Sequence, residues 1–333
     1  MILVTGGTGL VGSHLLYYLS QKNNTIRAIF RTEERREHVK KIFSFYTDDV
    51  QQYFSKIEWV QADITDTPSL ESVFNNVTEV YHCAALVSFN PKDYRKMRQV
   101  NIEGTANLIN FAIDASVKKF CFVSSIAAVG NSINGKPINE ENEWVDSDEN
   151  HGYAITKYGA EMEVWRGSQE GLNVVIVNPG VILGSGFWNE GSGKMFTQIN
   201  NGLSFYTEGV TGFVGVKDVV KAMINLMNYN IKNERFILVS ENKSFKDVLF
   251  GIADNLNKKR PSKKVGKLAT AIFWRIDWFL TKLTGKEPLL TKNSAKSAHN
   301  TSFYTSKKII EQLDFKFAPI NEVISETCKD FRK

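Results

Sequence analysis

The stretch that most constrains the fold of this 333-residue chain is TGGTGLVG, at residues 5–12. An apolar run at residues 2–4 precedes it, and residues 11–21 carry the apolar spacing of a helix. A strand that ends at glycines and continues as a helix brings several backbone amides to one point, and such a point binds anions. The pattern therefore predicts a phosphate site between the first strand and the first helix.

The three spaced glycines of this turn have separate roles in a dinucleotide fingerprint. Gly6 permits the tight turn, Gly9 lets a pyrophosphate approach the backbone, and Gly12 lets the helix pack on the strand. A purely structural glycine turn is the alternative, and the five further strands that follow disfavour it. We therefore predict that dinucleotide phosphates contact Gly6, Thr8, Gly9, Leu10, Val11 and Gly12.

Strand-length apolar runs alternate with helical patterns through the first half of the chain. Several runs are apolar at every position, as parallel strands buried on both faces must be. This alternation predicts the α/β class, with a doubly wound parallel sheet whose ligand lies across the carboxyl ends of the strands. The predicted strands are residues 2–4, 25–30, 57–61, 79–82, 120–124 and 174–178, and the predicted helices are residues 11–21, 33–54, 69–75, 94–115 and 153–170.

The chain changes character after the sixth predicted strand. Glycines and aromatic residues crowd residues 184–213, and the tail from about Ser244 is cationic and helical in pattern. We expect a helix at residues 217–229 and a strand at 235–240 to rejoin the sheet edge. These features predict a dinucleotide-binding domain at residues 1–180, rejoined by 214–240, and a smaller, mostly helical substrate-binding lobe at residues 181–213 and 241–333.

Composition and charge disfavour several classes of protein. Hydrophobic residues make up 42% of the chain and charged residues 23%, with a net charge of +5, which is ordinary for a globular protein. The basic residues are scattered rather than arranged in a dense stripe, so we expect no nucleic-acid partner. Cys83, Cys121 and Cys328 show neither metal-ligand nor disulfide spacing, so we expect no metal and a reducing, cytoplasmic location.

Secretion and membrane insertion are also disfavoured. The first residues already have the pattern of a core strand, so we expect no secretory signal. The most apolar late stretch, residues 265–283, contains four charged residues that a membrane span would not carry: Lys267, Arg275, Asp277 and Lys282. Its apolar stripe is expected to pack on the substrate lobe, with a pocket roof or a membrane-surface contact as alternatives. The stripe comprises Leu268, Ile272, Trp274, Ile276, Trp278, Phe279 and Leu283.

The end of the second strand carries the residue that selects the cofactor in such a fold. An acidic residue there accepts from the ribose 2′-hydroxyl of NAD, whereas an arginine accommodates the 2′-phosphate of NADP. Here IRAIFRTEERRE places Arg31 at the strand tip, which favours NADP(H), with NAD(H) as the alternative. Arg35 and Arg36 lie one helical turn on, where a solvated helix face is the alternative role. Asp63, which ends the third strand, either accepts from the adenine amine or caps the next turn.

Two further motifs add chemistry to this binding fold. HGYAITKYGAE contains Tyr153 and Lys157, which share one face of a helix because they are four residues apart. A free tyrosine has a pKa of about 10, and a nearby ammonium is expected to lower the pKa of Tyr153. FCFVSSIAAVG brings Ser124 and Ser125 to the carboxyl end of the fifth strand, where a serine can hydrogen-bond a substrate oxygen. The alternatives are serines that cap the next helix and a packed, non-catalytic Tyr153.

The order of these motifs resembles that of the extended short-chain dehydrogenase/reductase family over about residues 1–240. The matching motifs are TGGTGLVG, the tip Arg31, AD at Ala62, HCAA from His82, NIEGT from Asn101, SS at Ser124, YAITK from Tyr153, NPG from Asn178 and VKDVVKA from Val216. The resemblance implies that Ser125 is the catalytic serine and that Tyr153 is the general acid–base. It also implies that Lys157 binds the nicotinamide ribose and tunes Tyr153.

The same resemblance implies further contacts. Asn101 is the nearest candidate for the asparagine of a proton relay, and His82 lies beside the cofactor in a packing role. The family often pairs through the helices near residues 94–115 and 153–170, so a homodimer is an expectation. The implied cofactor contacts beyond the phosphate turn are Arg31, Asp63, Ile64, Ala84, Ala85, Asn101, Lys157, Pro179 and Val181.

The fold alone does not decide which reaction of the family the chain performs. Sugar-nucleotide dehydratases carry an acidic pair directly after the strand-five serine, whereas Ile126, Ala127 and Ala128 follow it here. Epimerases generally recycle a tightly held NAD. An arginine at position 31 favours NADP instead, so it disfavours an epimerase. The wall that should face the substrate is apolar in sequence, and we predict substrate contacts at Val87, Ser88, Ile126 and Met195.

The overall pattern is most similar to the dihydroflavonol reductase and 3β-hydroxysteroid dehydrogenase branch of that family. The similarity implies an NADP(H)-dependent oxidoreductase that interconverts a ketone or aldehyde and an alcohol on a small lipophilic substrate. A nucleotide-sugar epimerase of the same family is the first alternative. The second is a cofactor-sensing regulator without catalysis; such proteins typically lack the tyrosine–lysine pair, which this chain keeps.

Overall fold

The computed structural model describes residues 1–22, 24–145, 152–284 and 291–333, with the side chains of 276–284, 293 and 294 outside that description. The predicted stripe members Ile276, Trp278, Phe279 and Leu283 fall in the part whose side chains are not described. Within the described residues, the strands are β1 Ile2–Thr5, β2 Ile26–Phe30, β3 Ile57–Gln61, β4 Glu79–His82, β5 Lys119–Val123, β6 Val174–Pro179, β7 Val181–Leu183, β8 Phe205–Tyr206, β9 Val210–Gly215, β10 Glu234–Leu238, β11 Glu241–Ser244 and β12 Lys263–Lys264. The α-helices are α1 Leu10–Ser20, α2 Glu33–Phe43, α3 Val50–Phe54, α4 Thr67–Leu70, α5 Tyr94–Arg98, α6 Gly104–Asp114, α7 Gly152–Gln169, α8 Gly193–Asn200, α9 Val216–Asn228, α10 Phe245–Asn255, α11 Lys267–Thr284, α12 Lys292–Ser297, α13 Lys307–Leu313 and α14 Ile320–Phe331.

Seven strands form one parallel sheet in the order β10-β6-β5-β4-β1-β2-β3. Because successive side chains of a strand point to opposite faces, Leu3 and Val4 enter different cores. Helices α1, α2 and α9 cover one face of the sheet, and α6 and α7 cover the other. The predicted doubly wound parallel sheet of the α/β class is therefore confirmed. The strand order reverses between β1 and β4, so ligands are expected beyond the carboxyl ends of these two strands.

The structure divides two of the predicted helices. Residues 33–54 form α2 and α3 rather than one helix, because Asp49 starts α3 as its N-cap by accepting from the amide of Gln52. Residues 94–115 contain one π-helical segment, Gln99–Glu103, between α5 and α6. Short π-helical segments of this kind are frequent at functional sites.

The C-terminal part of the chain builds a second core. Strands β7, β9 and β11 form a three-stranded sheet, and β8 pairs with β12. Helices α8, α10 and α14 pack on the three-stranded sheet through an apolar cluster that includes Leu183, Phe196, Phe213, Ile252 and Ile324. Residues 214–240 contribute β10 to the large sheet and the end of β9 to the small one. The division of the chain into a cofactor domain and a substrate lobe stays a prediction.

Helix α11 differs from the expectation that its apolar stripe packs on the C-terminal lobe. Thr270 is buried, but Leu268 is 82% exposed and Ile272 and Phe273 are also exposed. Of the stripe members whose side chains are described, Leu268 and Ile272 therefore face solvent, whereas Trp274 is partly buried. Among the described helices, none has the length and apolar character needed to cross a membrane. The described residues also include no cluster of three or more histidine, cysteine or acidic side chains that could hold a metal ion.

Candidate active site

The glycine turn after β1 has a shape that only glycines allow. Gly6 has a φ of +65°, and a Cβ on it would collide with the backbone of Ala84 after β4. A Cβ on Gly12 would collide with the carbonyl oxygen of Gly6. A Cβ on Gly9 would meet only that same carbonyl oxygen, at 3.4 Å, so protein packing does not account for this glycine. Its open surface fits the close approach of a pyrophosphate.

The electrostatics of this turn also suit an anion. Gly9 is the N-cap of α1 with extended backbone and no side-chain cap, and the first turn of α1 contains no acidic residue. The first amides of a helix have no acceptor within the helix, and they carry its positive dipole end. Thr8, Leu10 and Val11 are partly buried beside them. The residues present therefore fit the phosphates of a dinucleotide.

The three predicted phosphate arginines differ in how far they are already paired. Arg35 forms an ion pair with Glu190, at 2.5 Å. Arg36 pairs with Glu33, at 2.7 Å, and its guanidinium lies over the ring of Phe30. Arg31 is exposed, and among the described residues its guanidinium has neither a hydrogen bond nor an ion pair. Of the three, Arg31 is the one whose charge is not already neutralised.

Two predicted cofactor contacts after β3 have structural partners of their own. Oδ1 of Asp63 accepts from the amide and the hydroxyl of Thr65, at 2.9 and 2.8 Å, so Asp63 holds the turn that follows β3. Ile64 is buried, and its carbonyl oxygen accepts from Asn107 of α6, at 2.9 Å. Capping, one of the two roles considered for Asp63, is therefore present in the structure.

Asn101 lies fully buried in the π-helical segment and fastens the chain after β4. Its Oδ1 accepts from the amide of Leu86, at 2.7 Å, and its Nδ2 donates to the carbonyl oxygen of the same residue, at 3.0 Å. Nδ2 also donates to Oγ1 of Thr156 in α7, at 3.1 Å. These contacts fix the segment that contains Ala84 and Ala85 against α7. The arrangement supports a positioning role for Asn101.

His82, at the end of β4, is fully buried between two hydroxyl groups. Its Nδ1 lies 2.7 Å from Oγ1 of Thr5, and its Nε2 lies 2.9 Å from Oγ1 of Thr105. Burial is the main cause that lowers the pKa of His82 to about 3. The ring is therefore neutral near pH 7 and ties β1 to α6.

The two serines after β5 have different partners. The side chain of Ser125 hydrogen-bonds that of Tyr153. Oγ of Ser125 also accepts from the amide of Ala127, at 3.1 Å, so this serine caps the short 3₁₀ helix Ile126–Ala128 as well. Ser124 is buried, and its hydroxyl donates to Oε2 of Glu161, at 2.7 Å. Ser125 is thus the serine that meets the tyrosine.

The charge relation between Tyr153 and Lys157 differs from the expectation. Burial raises the pKa of Tyr153 to about 12, although its hydrogen bond with Ser125 acts in the opposite direction. Burial also lowers the pKa of Lys157 to about 7. Nζ of Lys157 donates to the carbonyl oxygen of Val123, at 2.8 Å, and lies 4.4 Å from the ring centre of Phe122. The expectation that the ammonium lowers the pKa of Tyr153 was wrong for this structure, because burial is the largest effect on the phenol and the amine is held by the carbonyl oxygen of Val123.

A buried carboxylate on α7 was not among the predicted site residues. Glu161 has no exposed side-chain surface and lies on α7, four residues after Lys157. It accepts from Nδ2 of Asn178, at 2.9 Å, and pairs with Arg235 of β10, at 3.2 Å. The motif HGYAITKYGAE contains Glu161 at the spacing of one face of a helix, and this spacing was the signal that could have identified it.

The predicted substrate contacts do not all fall in one place. The ring of Phe89, which follows the predicted contacts Val87 and Ser88, lies 6.1 Å from that of Tyr153. Val87 is 55% exposed, and the hydroxyl of Ser88 donates to Asp93, at 2.6 Å. Ile126 is buried in the 3₁₀ helix after Ser125, whereas Met195 packs on the C-terminal core. Pro179 ends β6, and Val181 begins β7.

A doubly wound sheet with a phosphate turn, a serine at a strand end, and a tyrosine and a lysine on the helix beside it define a class of dinucleotide-dependent enzyme fold. The chain belongs to the NAD-dependent epimerase/dehydratase family, whose model matches residues 2–238. The predicted membership of the extended short-chain dehydrogenase/reductase group is confirmed.

Similar proteins include both reductases and epimerases. Cinnamoyl-CoA reductase 1 of Petunia hybrida is 24% identical, over 100% of this chain and 92% of that protein. Anthocyanidin reductase of Arabidopsis thaliana is 28% identical, over 79% of this chain and 81% of that protein. The crystal structure of UDP-glucose 4-epimerase from Thermotoga maritima with UDP-glucose has a TM-score of 0.76 at 21% identity, covering 99% of this chain and 98% of that one. The last likeness concerns the fold alone.

Proposed function

We propose that the protein is an NADP(H)-dependent oxidoreductase that interconverts a ketone or aldehyde and an alcohol on a small lipophilic substrate. The observation that carries the proposal is the hydrogen bond between the side chains of Ser125 and Tyr153 at the end of β5. Lys157 is buried one helical turn further along α7. The similarity to proteins named anthocyanidin reductase and cinnamoyl-CoA reductase 1 supports a reduction.

Tyr153 is proposed as the general acid of the reduction. When bound, the reduced nicotinamide supplies a hydride to the carbonyl carbon. As the carbon–oxygen π bond breaks, Tyr153 gives its proton to the oxygen, and solvent later returns a proton to the phenolate. The raised pKa of Tyr153, about 12, keeps that proton in place across the neutral range.

Ser125 and Lys157 support that proton transfer in different ways. The Ser125 hydroxyl donates to the substrate oxygen as negative charge develops there. Lys157 binds the hydroxyls of the nicotinamide ribose through its ammonium group. Because its pKa is about 7, Lys157 is charged in only about half of the molecules at neutral pH.

The proposed preference for NADP(H) over NAD(H) rests on Arg31. Its guanidinium is exposed at the tip of β2, while Arg35 and Arg36 already pair with glutamates. A guanidinium fork matches a phosphate in both geometry and charge. The remaining proposed cofactor contacts are Gly6, Thr8, Gly9, Leu10, Val11, Gly12, Asp63, Ile64, Ala84, Ala85, Asn101, Pro179 and Val181.

A lipophilic substrate is proposed from the surface beside the tyrosine. Phe89 exposes apolar surface there, Val87 is exposed two residues before it, and Ile126 follows the proposed catalytic serine. The three residues after Ser125 contain no carboxyl group, which argues against dehydration. We also propose a cytoplasmic enzyme that pairs through α5, α6 and α7.

A nucleotide-sugar epimerase is the second candidate function. The family description, which names epimerases and dehydratases, favours it. An epimerase returns the hydride to its own substrate, so it consumes no cofactor overall. Stoichiometric loss of NADPH therefore separates the reductase from the epimerase and from a cofactor-sensing regulator. Epimer formation separates the epimerase from the regulator.

The experiment is NADPH oxidation against a panel of lipophilic ketones and aldehydes, with UDP-sugars assayed for epimer formation in parallel. The proposal predicts NADPH loss equal to the alcohol formed with at least one carbonyl. Epimer formation without net cofactor loss would assign the second candidate. Tight NADPH binding without turnover on any arm would contradict both enzymatic functions and favour the regulator.

A further inference from the structure

The Glu161 carboxylate is a buried charge with a complete set of partners. Oε2 accepts from the hydroxyl of Ser124, at 2.7 Å, and from Nδ2 of Asn178, at 2.9 Å. Oε1 accepts from a terminal nitrogen of Arg235, at 3.2 Å. A carboxylate without exposed surface is stable as an anion only when such partners compensate its lost hydration. The proposed reaction uses none of these contacts directly.

The two uncharged partners of Glu161, Ser124 and Asn178, are both connected to Ser125. Ser124 precedes Ser125 in the chain, and Nδ2 of Asn178 also donates to the carbonyl oxygen of Ser125, at 3.0 Å. The ends of β5 and β6 are thereby fixed on both sides of Ser125. A shift of Glu161 would move the hydroxyl that meets Tyr153.

Glu161 also provides the main countercharge for Lys157. Burial lowers the pKa of Lys157, and Glu161 is the first of the charges that oppose this effect. Around Lys157, α7 contributes Tyr153 and Glu161, while β4 and the residue after it contribute His82 and Cys83. His82, with a pKa of about 3, and Cys83, with a pKa of about 12, are both neutral near pH 7. Glu161 is therefore the anion beside the ammonium.

Arg235 connects this carboxylate to the edge strand of the sheet. Its side chain is 17% exposed. Its guanidinium donates to the carbonyl oxygen of Glu140, at 2.9 and 2.6 Å, and to that of Asn142, at 3.0 Å. The carboxylate of Glu140 itself accepts from the amide of Ile237, and Lys308 donates to the carbonyl oxygen of Arg235. Arg235 thus holds the chain after β5 and Glu161 at the same time.

We infer that Glu161 and Arg235 form a positioning pair, in which Arg235 holds the Glu161 carboxylate in place while Glu161 orients Ser125 and provides the countercharge of Lys157. The inference rests on the proposed function in that Ser125 and Lys157 are catalytic groups there. Neither member of the pair is assigned a contact with substrate or cofactor.

A second arginine–glutamate pair provides a matched control. Arg27 of β2 is buried, pairs with Glu58 of β3 and donates to the carbonyl oxygens of Val73 and Asn75. It resembles Arg235 in holding one carboxylate and a neighbouring loop. Within the described part of the chain, the Glu58 carboxylate pairs with Arg27 and contacts neither the two serines nor Lys157.

The test is a pH titration of Lys157 by NMR in protein labelled with ε-¹³C-lysine, with the Lys157 signal identified by its loss in Lys157→Arg. Glu161→Gln keeps the shape and an acceptor oxygen but removes the charge. The titration midpoint of Lys157 is therefore expected at lower pH than in the wild type. Glu58→Gln, the control, is expected to leave the midpoint unchanged. Equal midpoints in the wild type and Glu161→Gln would overturn the countercharge role.

Turnover on the best carbonyl of the panel tests the orienting role. Glu161→Asp keeps the negative charge but shortens the side chain by one methylene. Because Ser125 is then expected to shift, kcat is expected to fall about tenfold or more. The titration midpoint of Lys157 is expected to stay near that of the wild type. Wild-type kcat in this variant would overturn the orienting role. Should Glu161→Gln fail to fold, Glu161→Asp still decides this part.

The NMR titration requires no substrate, so failure of the proposed function remains separate. A shifted Lys157 midpoint without turnover on any carbonyl would support the charge pair and contradict the reductase. An unchanged midpoint in an active reductase would contradict the pair alone.

Discussion

The two halves of the candidate active site are built in different ways. The phosphate turn is one continuous stretch, in which Gly6 and Gly12 lie against each other and Gly6 packs on the backbone of Cys83 and Ala84. The catalytic half combines Ser125 after β5, Tyr153 and Lys157 on α7, and a network that extends to Arg235 on β10. The first half depends on the absence of side chains. The second depends on buried polar contacts between distant segments, so a single substitution there is expected to affect chemistry more than binding.

The largest expected effect is that of Tyr153→Phe, because it removes the general acid. We expect kcat to fall about 10²- to 10⁴-fold, with the NADPH dissociation constant within about twofold of the wild type, since the phosphate turn is untouched. Steady-state kinetics and a fluorescence titration of NADPH measure the two quantities. Tyr158→Phe, on the same helix and stacked on Trp144, is the control with wild-type kcat expected. Undiminished turnover in Tyr153→Phe would exclude the assigned acid.

The two serines provide the next comparison within the catalytic half. Ser125→Ala removes the donor to the substrate oxygen and is expected to lower kcat about a hundredfold. Ser124→Ala leaves that donor present and removes one of the contacts of Glu161, so its loss of kcat is expected to be smaller. Both are measured with saturating NADPH. A larger loss in Ser124→Ala would reverse the assignment of the catalytic serine.

A substitution in the phosphate turn is expected to weaken NADPH binding more than it lowers kcat, which is the opposite of the substitutions in the catalytic half. A Cβ at Gly12 collides with the carbonyl oxygen of Gly6, so Gly12→Val must displace the turn. We expect about a tenfold or greater rise in the NADPH dissociation constant and a loss of unfolding free energy of about 1–3 kcal/mol. Gly266→Ala is the control, because a Cβ there meets open space. Normal NADPH affinity in Gly12→Val would show that this turn does not bind the phosphates.

Arg31→Ala tests the cofactor-binding half of the site by comparing the binding of NADPH with that of NADH. We expect about a tenfold weaker binding of NADPH, which corresponds to about 1.4 kcal/mol, and unchanged binding of NADH. Arg35→Ala is a control of equal charge, because that guanidinium already pairs with Glu190. An equal loss for NADPH and NADH would show that Arg31 does not recognise the 2′-phosphate.

The smallest expected effect is the pH dependence of the catalytic half. The pKa of Lys157 is lowered to about 7 by burial, so its charge is lost as the pH rises through that value. The pKa of Tyr153, about 12, leaves its proton in place over the same range. We therefore expect kcat/KM for reduction to decline above about pH 7 with a single ionisation, which reports on the free enzyme. A profile that is flat from pH 6 to pH 9 would contradict the role of the Lys157 charge.

The sequence is sufficient to predict features that depend on local pattern. Buried parallel strands are apolar throughout, and the phosphate turn needs glycines at fixed positions, so both are visible in one stretch of residues. The pairing of Ser125 with Tyr153 was also expected, because each has a motif of its own. The break at Asp49 between α2 and α3 was missed, although the N-cap residue was a local signal for it.

Features that depend on long-range burial could not be predicted in the same way. The pKa of Tyr153 is raised because the folded chain removes the phenol from water, and no sequence spacing reports that desolvation. The Glu161–Arg235 pair joins residues that are 74 positions apart. Glu161 was visible in the motif HGYAITKYGAE. Nothing in the sequence around Arg235 marks it as the partner of Glu161, because the two residues meet only when β10 joins the sheet.

Net hydride transfer is the central claim, and deuterium transfer tests it most directly. The wild-type protein is incubated with the best carbonyl of the panel and NADPH that carries deuterium at the transferable C4 position. Mass spectrometry then measures the alcohol formed. The account predicts one deuterium on the carbinol carbon of each product molecule, and product formation in Tyr153→Phe that is slower by the same factor as its kcat. Product without deuterium, or epimerised sugar with the cofactor label retained, would contradict it.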